Sequence, residues 1–276
     1  MSKKFRASCI LILLGLTFAP AHADEIKWVW DYATGMKLAR EAKRPVMVEF
    51  WAIWCGPCKK MEMEVYRNPR LIEASKNFVF IQVDVDRDKA TPAQYAVQAI
   101  PTMIFMDPWE TVLMRRQGEA QVSDLLEMMK PMPASFKSVA KNFESLGSDK
   151  ENFDALLGIG SFYKKAGFVV PARDFFMRAL KSPRAAEDQL ARDDAKLALG
   201  LLALKINDTK EARKILEQAC KDCDPTNEPM MLLALGKTYF QMKKMKEARL
   251  VFEQVTTRFP NTEHARVAQS NLSQIR

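Results

Sequence analysis

Two cysteines that bracket a glycine and a proline are the residues of this sequence best suited to chemistry. Cys55, Gly56, Pro57 and Cys58 follow an apolar run and precede a helical pattern, which predicts a strand, a tight turn and a helix. Unpaired N–H groups and the helix dipole at the N-terminus of that helix favour the thiolate of Cys55. Cys58, one turn further in, is placed to resolve a mixed disulfide formed by Cys55. The stretch therefore predicts thiol–disulfide exchange.

A structural disulfide and half of a zinc site are the alternative interpretations of a Cys-x-x-Cys pair. A zinc site needs four ligands, and the chain after residue 23 offers four cysteines and one histidine, His264. The second cysteine pair lies far away in the sequence. We therefore predict no metal, and no cofactor other than the redox-active disulfide itself.

Strands that alternate with helices and then a hairpin predict an α/β domain over residues 24–133. The predicted elements are a strand over Ile26–Val29, a helix over Asp31–Lys43, a strand over Pro45–Trp51, a helix over Cys55–Arg67, a helical piece over Leu71–Ser75, a strand over Phe78–Val85, a helix over Pro92–Val97, a hairpin of Thr102–Met106 and Thr111–Arg115, and a last helix over Val122–Met129.

Residues 49–59, EFWAIWCGPCK, and the later run Ala99–Thr102 resemble the thioredoxin family. The resemblance implies a thioredoxin fold and a cis proline at Pro101 that lies against the active-site disulfide. It also makes Trp54, Gly56, Pro57, Ile100 and Pro101 the residues of the active-site turn and the substrate contact.

Glu49 stands where the thioredoxin family usually has a buried aspartate that relays the proton of the second cysteine. Burial in an apolar strand is expected to raise the pKa of this carboxyl, as that role requires. The sequence departs from the family at Gln82, where reductants often carry a lysine, and at Asn68-Pro69, which ends the active-site helix early. The second departure is similar to periplasmic thioredoxin-like domains, including the C-terminal domain of the transmembrane disulfide reductase.

Three segments with the same helical pattern follow from residue 153 onward. A glycine is followed by an alanine twelve residues later and by a large apolar residue four residues beyond that. The three sets are Gly160, Ala172 and Phe176; Gly200, Ala212 and Leu216; and Gly236, Ala248 and Phe252. This spacing resembles tetratricopeptide repeats and predicts an all-α helical repeat domain over 153–276, with a capping helix over 263–275. Residues 134–152 are expected to form a docking helix or a linker.

The second cysteine pair, Cys220 and Cys223, ends the second predicted repeat. In an oxidising compartment the pair predicts a local structural disulfide, for which the helix must unwind because side chains at this spacing are too far apart. Free thiols and a second redox relay are the alternatives.

The first 23 residues combine a basic start, a short apolar run and the sequence Ala21-His22-Ala23, which predicts a cleaved signal peptide and a periplasmic location. No later run is long enough for a membrane span. Residues 134–276 carry 24 basic and 18 acidic side chains, without the Arg/aromatic pattern of a nucleic-acid site.

These features predict an exported thiol–disulfide oxidoreductase that reduces protein disulfides and holds a protein partner on its repeats. Its upstream electron donor is not indicated by the sequence. The alternative is a non-catalytic periplasmic scaffold or chaperone that assembles partners through the repeats.

Overall fold

The structure, a computed structural model, describes residues 25–275, so the predicted signal peptide lies outside the described residues. Five strands form a single sheet within this range, in the order β1-β3-β2-β4-β5. The strands are β1 (Trp28–Val29), β2 (Val46–Trp51), β3 (Val79–Asp84), β4 (Thr102–Met106) and β5 (Val112–Gln117). The first three run parallel, whereas β4 and β5 pair antiparallel to their neighbours.

Five helices cover the two faces of this sheet: α1 (Tyr32–Ala42), α2 (Gly56–Glu64), α3 (Pro69–Ser75), α4 (Ala90–Gln94) and α5 (Val122–Met129). Alternate residues of a strand point to opposite faces. Val46, Val48 and Phe50 accordingly pack with residues of α1 such as Met36. Met47 packs on the other face with residues of α2, α3 and α5, among them Met61. This α/β arrangement is the thioredoxin fold that the sequence predicted.

The C-terminal half is all-helical, as predicted, and it is built from paired helices. These are α6 (Ala140–Ser148), α7 (Phe153–Ala166), α8 (Val169–Lys181), α9 (Gln189–Lys205), α10 (Thr209–Ala219), α11 (Glu228–Gln241), α12 (Met245–Arg258) and α13 (Glu263–Leu272). Short 3₁₀ turns occupy Lys137–Val139 and Pro183–Ala186.

Each repeat brings its two helices together at the glycine that the sequence pattern singles out. A Cβ atom added at Gly160 would lie 3.1 Å from the ring of Phe176. One added at Gly200 would lie 2.7 Å from Leu216, and one added at Gly236 would lie 2.6 Å from a ring carbon of Phe252. The distances at Gly200 and Gly236 are too short for a Cβ unless the facing side chain moves, and the distance at Gly160 is tight. The first helix of each repeat therefore makes its closest approach at a glycine.

The two halves share one hydrophobic core. Met103 and Phe105 of β4 belong to the same buried cluster as residues of α7 and α8. Trp109, in the β4–β5 turn, stacks on Phe143 of α6 with ring centroids 4.2 Å apart. Residues 134–152 therefore pack between the sheet and the first repeat, as a docking helix does.

Several helix bounds differ from those predicted, for local reasons. The predicted helix over 92–97 instead occupies Ala90–Gln94, because the Asp88 carboxylate accepts hydrogen bonds from the N–H groups of Ala90 and Thr91. Ala96 has a φ angle of 47°, which ends the helical conformation. The active-site helix ends at Glu64 rather than at residue 67, and α3 starts at Pro69 with Asn68 as its N-cap.

Candidate active site

The active-site turn follows β2, the central strand of the five-stranded sheet. β2 is hydrogen-bonded to a strand on each side, so the residues that follow it start from a rigid position. The N–H of Cys55 donates to the carbonyl oxygen of Ala52, at 3.0 Å, which closes the turn. Cys55 is the N-cap residue of α2 and Pro57 lies in the first turn, where a missing N–H costs nothing.

Cys55 and Cys58 are joined by a disulfide. The backbone N–H of Cys58 donates to the Sγ atom of Cys55, with the two atoms 3.2 Å apart. A donor aimed at this sulfur from the first turn of a helix favours a negative charge there when the disulfide is reduced. Cys55 is therefore placed as the attacking thiolate.

Both cysteines are almost fully buried, and they pack with Ala52 and, at the edge of their cluster, with Ile100. The Ile100–Pro101 peptide bond is cis. The carbonyl oxygen of Pro101 accepts a hydrogen bond from the N–H of Gly118, which ties the loop to the end of β5. The structure thus places Ile100 against the disulfide. Pro101 is the next residue, and its loop is fixed by the hydrogen bond to Gly118.

Gly56 and Pro57 are exposed on the outer side of the turn. Trp54, which precedes Cys55, is also exposed, and its indole N–H donates to Oδ2 of Asp86 at 2.7 Å. The ring is therefore held at the rim of the active site by the loop that follows β3.

Glu49 is a buried carboxyl in the middle of β2, 1% exposed. It shares the sheet face of Met47, which α2 covers, so it lies beneath the helix that carries Cys58. Its Oε2 atom accepts a hydrogen bond of 2.7 Å from Nε2 of Gln82, the residue directly opposite on β3.

Burial raises the pKa of Glu49 to about 7, against the opposing effects of the hydrogen bond from Gln82 and of the nearby Tyr66 hydroxyl. The negative charge of Glu62 raises the pKa further. The second carboxyl oxygen, Oε1, completes no hydrogen bond with any described residue, and neither does the Tyr66 hydroxyl. A group that titrates near neutrality in this position can accept or return a proton at ordinary pH.

Three contacts of the site were not anticipated from the sequence. They are the approach of Tyr66 to Glu49, the hydrogen bond from Trp54 to Asp86, and an ion pair of 2.6 Å between Lys60 of α2 and Glu119. All of them join separate elements, so no spacing within one element indicates them. Gln82 is different, because strand register alone places it opposite Glu49.

The predicted disulfide between Cys220 and Cys223 is wrong, since the structure holds both as free thiols. Cys220 keeps right-handed helical angles as the C-cap of α10, and its N–H donates to Leu216 as in the helix body. The turn therefore does not unwind to bring the sulfurs together. Burial raises the pKa of Cys220 to about 12, so this pair lacks a reactive thiolate.

Across residues 25–275 we find no cluster of three or more His, Cys, Asp or Glu side chains arranged to hold a metal ion. No helix in the same range is both long and apolar enough to cross a membrane.

An N-terminal CxxC disulfide at the start of a helix, on this fold, defines a thiol–disulfide oxidoreductase. Comparison with known proteins agrees, because the thioredoxin family model matches residues 35–131. Tetratricopeptide repeat models match residues 193–221 and 231–262, which are the second and third repeats.

The curated relatives match about a third of the chain. A thioredoxin of Aspergillus fumigatus is 36% identical over 90 residues, which are 33% of this chain and 80% of that protein. A thioredoxin of Alicyclobacillus acidocaldarius is 32% identical over 96 residues, which are 32% of this chain and 89% of that protein. The chain therefore belongs to the thioredoxin family, with tetratricopeptide repeats following the thioredoxin domain.

A further relative is the thiol:disulfide interchange protein DsbD of Vibrio vulnificus. It is 34% identical over 87 residues, which are 30% of this chain. The chain spans 15% of the length of that protein, so the similarity concerns one region of it.

Proposed function

We propose that this protein is an exported reductant of protein disulfides that holds its protein partner on the helical repeats. The observation that carries the redox part is the hydrogen bond from the Cys58 N–H to Cys55 Sγ at the start of α2. It supports a reduced state in which Cys55 is a thiolate and Cys58 remains a thiol until Cys55 has reacted.

In the proposed reaction the Cys55 thiolate attacks one sulfur of a partner disulfide. A mixed disulfide forms, and the other partner sulfur leaves as a thiolate that takes up a proton. Cys58 then loses its proton to the Glu49 carboxylate and attacks Cys55 Sγ, and the second partner sulfur leaves as a thiolate that takes up a proton from water. Two electrons pass to the partner and the Cys55–Cys58 disulfide is restored, after which a dithiol donor must reduce it again.

The reducing direction is supported by the Gly56-Pro57 dipeptide and by Ile100 before Pro101, which resemble the reducing members of the family. A glutathione titration of the full chain tests it. We expect a midpoint nearer the value of about −270 mV of a reductant than the value of about −120 mV of a periplasmic oxidant. A midpoint near the second value would reverse the direction.

The catalytic assignment is tested by insulin reduction. Cys55→Ser is expected to abolish activity, while Cys58→Ser is expected to accumulate a mixed disulfide through Cys55. In the reduced protein Cys55 should be alkylated faster than Cys58. Equal alkylation rates for the two thiols would contradict the assignment.

The proposal that the repeats bind a protein rests on their paired helices and on the net charge of +6 over residues 134–276. Lys237, Lys243 and Lys246 in the third repeat are exposed and favour an acidic ligand. The test uses as substrate the partner protein that Cys58→Ser traps. Replacing the three lysines by serine in the otherwise wild-type chain should slow reduction of this substrate at low salt. Lys130→Ser outside the repeats is the control. Equal rates for all variants would remove the repeats from substrate selection.

The exported location is tested by fractionating cells that express the full sequence and by determining the N-terminus of the mature protein. Cleavage near Asp24 and recovery from the periplasm are expected. Retention of residues 1–23 in a cytoplasmic fraction would contradict export.

A further inference from the structure

A cleft of about 550 Å³ lies beside the active site, at the end of the sheet where β1 stops. β1 pairs only with Phe80 and Ile81 of β3. The chain then leaves the sheet at Trp30 while β3 continues to Asp84. The space opened by this divergence is the cleft, which we call the β1–β3 cleft.

The walls of the β1–β3 cleft are aromatic and apolar. Trp30 is 64% exposed and meets the half-buried Trp51 edge to face, with ring centroids 5.9 Å apart. Ile53 also lines the cleft and is 68% exposed. Large apolar side chains exposed together around a concavity are typical of an interaction site, whereas single ones are not.

The charges of the β1–β3 cleft are almost all negative. One guanidinium, that of Arg87, lines it together with four carboxylates, giving a net charge of −3. The four acids are Asp31, Asp84, Asp86 and Asp88. Arg87 is 90% exposed and pairs with Asp84 at 3.5 Å, and Lys89, just outside the lining, pairs with Asp86 at 3.5 Å. Among the described residues Asp31 and Asp88 form no ion pair, so the cleft keeps an excess of negative charge.

The acids are held in place by the backbone. Asp31 caps α1 by accepting from the N–H of Thr34, and Asp84 accepts from the N–H of Asp86. Asp88 accepts from two N–H groups at the start of α4. The carboxylates therefore stay at the cleft instead of turning away into solvent.

We propose that the β1–β3 cleft binds a basic, extended segment of the partner protein, next to the cysteines that react at Cys55. Lysine or arginine side chains pair with the carboxylates, and a guanidinium or ammonium group also stacks favourably on an exposed indole such as that of Trp30. The same negative charge opposes nucleic acids and anionic lipid surfaces, so a cationic polypeptide is the occupant that fits.

The position of the cleft explains how one segment reaches both sites. Ile53 precedes Cys55 by two residues, so their Cα atoms lie within about 7 Å of each other along the backbone. Trp54 stands between them, and its indole is bonded to Asp86 of the cleft. A partner segment that extends two or three residues beyond its own reacting cysteine therefore reaches from Cys55 to the β1–β3 cleft.

Binding and reaction are separable in the test, since only the reaction rests on the function proposed above. The probes are three short peptides that each contain one intramolecular disulfide, flanked by arginines, by glutamates or by serines. They react with the reduced full-length protein at low salt and at about 1 M salt, where the screening length falls to about 3 Å. We expect the arginine peptide to react about tenfold faster than the glutamate peptide at low salt, with the ratio lost at high salt.

The variant that removes the charge is Asp31→Asn combined with Asp84→Asn and Asp88→Asn, because asparagine also caps helices and keeps the local hydrogen bonds. Its matched control removes three exposed carboxylates elsewhere on the same domain, by Glu41→Gln, Glu73→Gln and Glu127→Gln. The cleft variant should lose the preference for arginine, whereas the control should keep it. Both should reduce the serine peptide at the wild-type rate.

A second measurement keeps the two hypotheses distinct. Cysteine-free versions of the peptides are titrated into the oxidised protein and binding is followed by tryptophan fluorescence, with Trp30→Ala as the comparison. Binding of the arginine peptide that Trp30→Ala weakens supports the cleft even if no peptide is reduced, in which case the proposed function fails alone. Equal binding of the arginine and glutamate peptides, or a preference that the control variant loses equally, would overturn the proposal.

Discussion

Glu49→Gln is the substitution for which the structure yields the clearest quantitative expectation. The carboxyl is buried, and burial raises its pKa from an ordinary value of 4.5 to about 7. Glutamine has nearly the same shape and carries no charge at any pH. The variant therefore removes the ionisation of a buried group and leaves the packing in β2 almost unchanged.

The sign of the effect follows from where the proton is lost. As pH rises from 4.5, the carboxyl ionises in the unfolded chain first, because the folded protein keeps its proton until about pH 7. The wild type therefore loses free energy of unfolding over this window, and the loss levels off above it. One pKa unit corresponds to about 1.36 kcal/mol, so the total loss from this residue is about 3 kcal/mol. Glu49→Gln should not show it.

The assay is urea denaturation of the oxidised full-length protein at pH 4.5 and at pH 8. The free energy of unfolding of Glu49→Gln minus that of the wild type should increase by about 3 kcal/mol between the two pH values. Taking the difference removes the pH dependence of other buried acids, such as Asp107. Glu127→Gln, which alters an exposed carboxylate, should show no such increase.

A constant difference between Glu49→Gln and the wild type across this range would refute the reasoning, because it would mean that the pKa of Glu49 is the same in the folded and the unfolded protein. A second readout addresses the proposed proton relay. The rate of disulfide reduction by the wild type should change with an inflection near pH 7, and the inflection should be missing in Glu49→Gln. An unchanged pH profile would leave Glu49 as a buried acid without a part in the exchange.

Three further predictions concern packing, the contact between the halves, and the second cysteine pair. Gly236→Ala places a Cβ 2.6 Å from an aromatic ring and should cost about 1–3 kcal/mol in urea denaturation, whereas Gly147→Ala, in open space on α6, should stabilise by up to about 1 kcal/mol. Tyr163→Phe removes the hydroxyl that donates to buried Asp107 and should cost about 1–3 kcal/mol by the same measurement; no loss would mean that water replaces the contact. Cys220 should be alkylated slowly at pH 8 in the native protein and rapidly in urea, because burial raises its pKa to about 12; a native mass that shows a second disulfide would contradict this.

Sequence patterns predict the elements of this protein well where one periodicity dominates. The bounds of β4 and α5 are those predicted, since an apolar run and a strongly amphipathic run each end at clear turn residues. The three repeat glycines were identified from spacing alone, and each meets the predicted large residue of its partner helix. These features depend on the local sequence or on a repeated pattern, and a single sequence shows both.

The less predictable features depend on contacts between elements. The apolar pattern misses the start of α4 at Ala90, which is fixed by the hydrogen bonds that Asp88 accepts from the N–H groups of Ala90 and Thr91. An aspartate before a helix is nevertheless a known signal. The surroundings of Glu49 include Tyr66, which comes from the turn after α2 and reaches the carboxyl only in the folded chain. The state of Cys220 depends on whether its helix unwinds, which spacing does not determine.

The shared core has a consequence for how the two halves act. β4 begins directly after Pro101, in the loop beside the disulfide, and ends at Met106. The next residue, Asp107, accepts a hydrogen bond from Tyr163 of the first repeat. A strand of this length spans about 17 Å and is paired on both sides, so its two ends do not move independently. Asp107 is fully buried at this junction, and burial raises its pKa to about 6. The first repeat thus supports the strand that presents the active-site loop. Removing the repeats would expose a hydrophobic face of the thioredoxin domain.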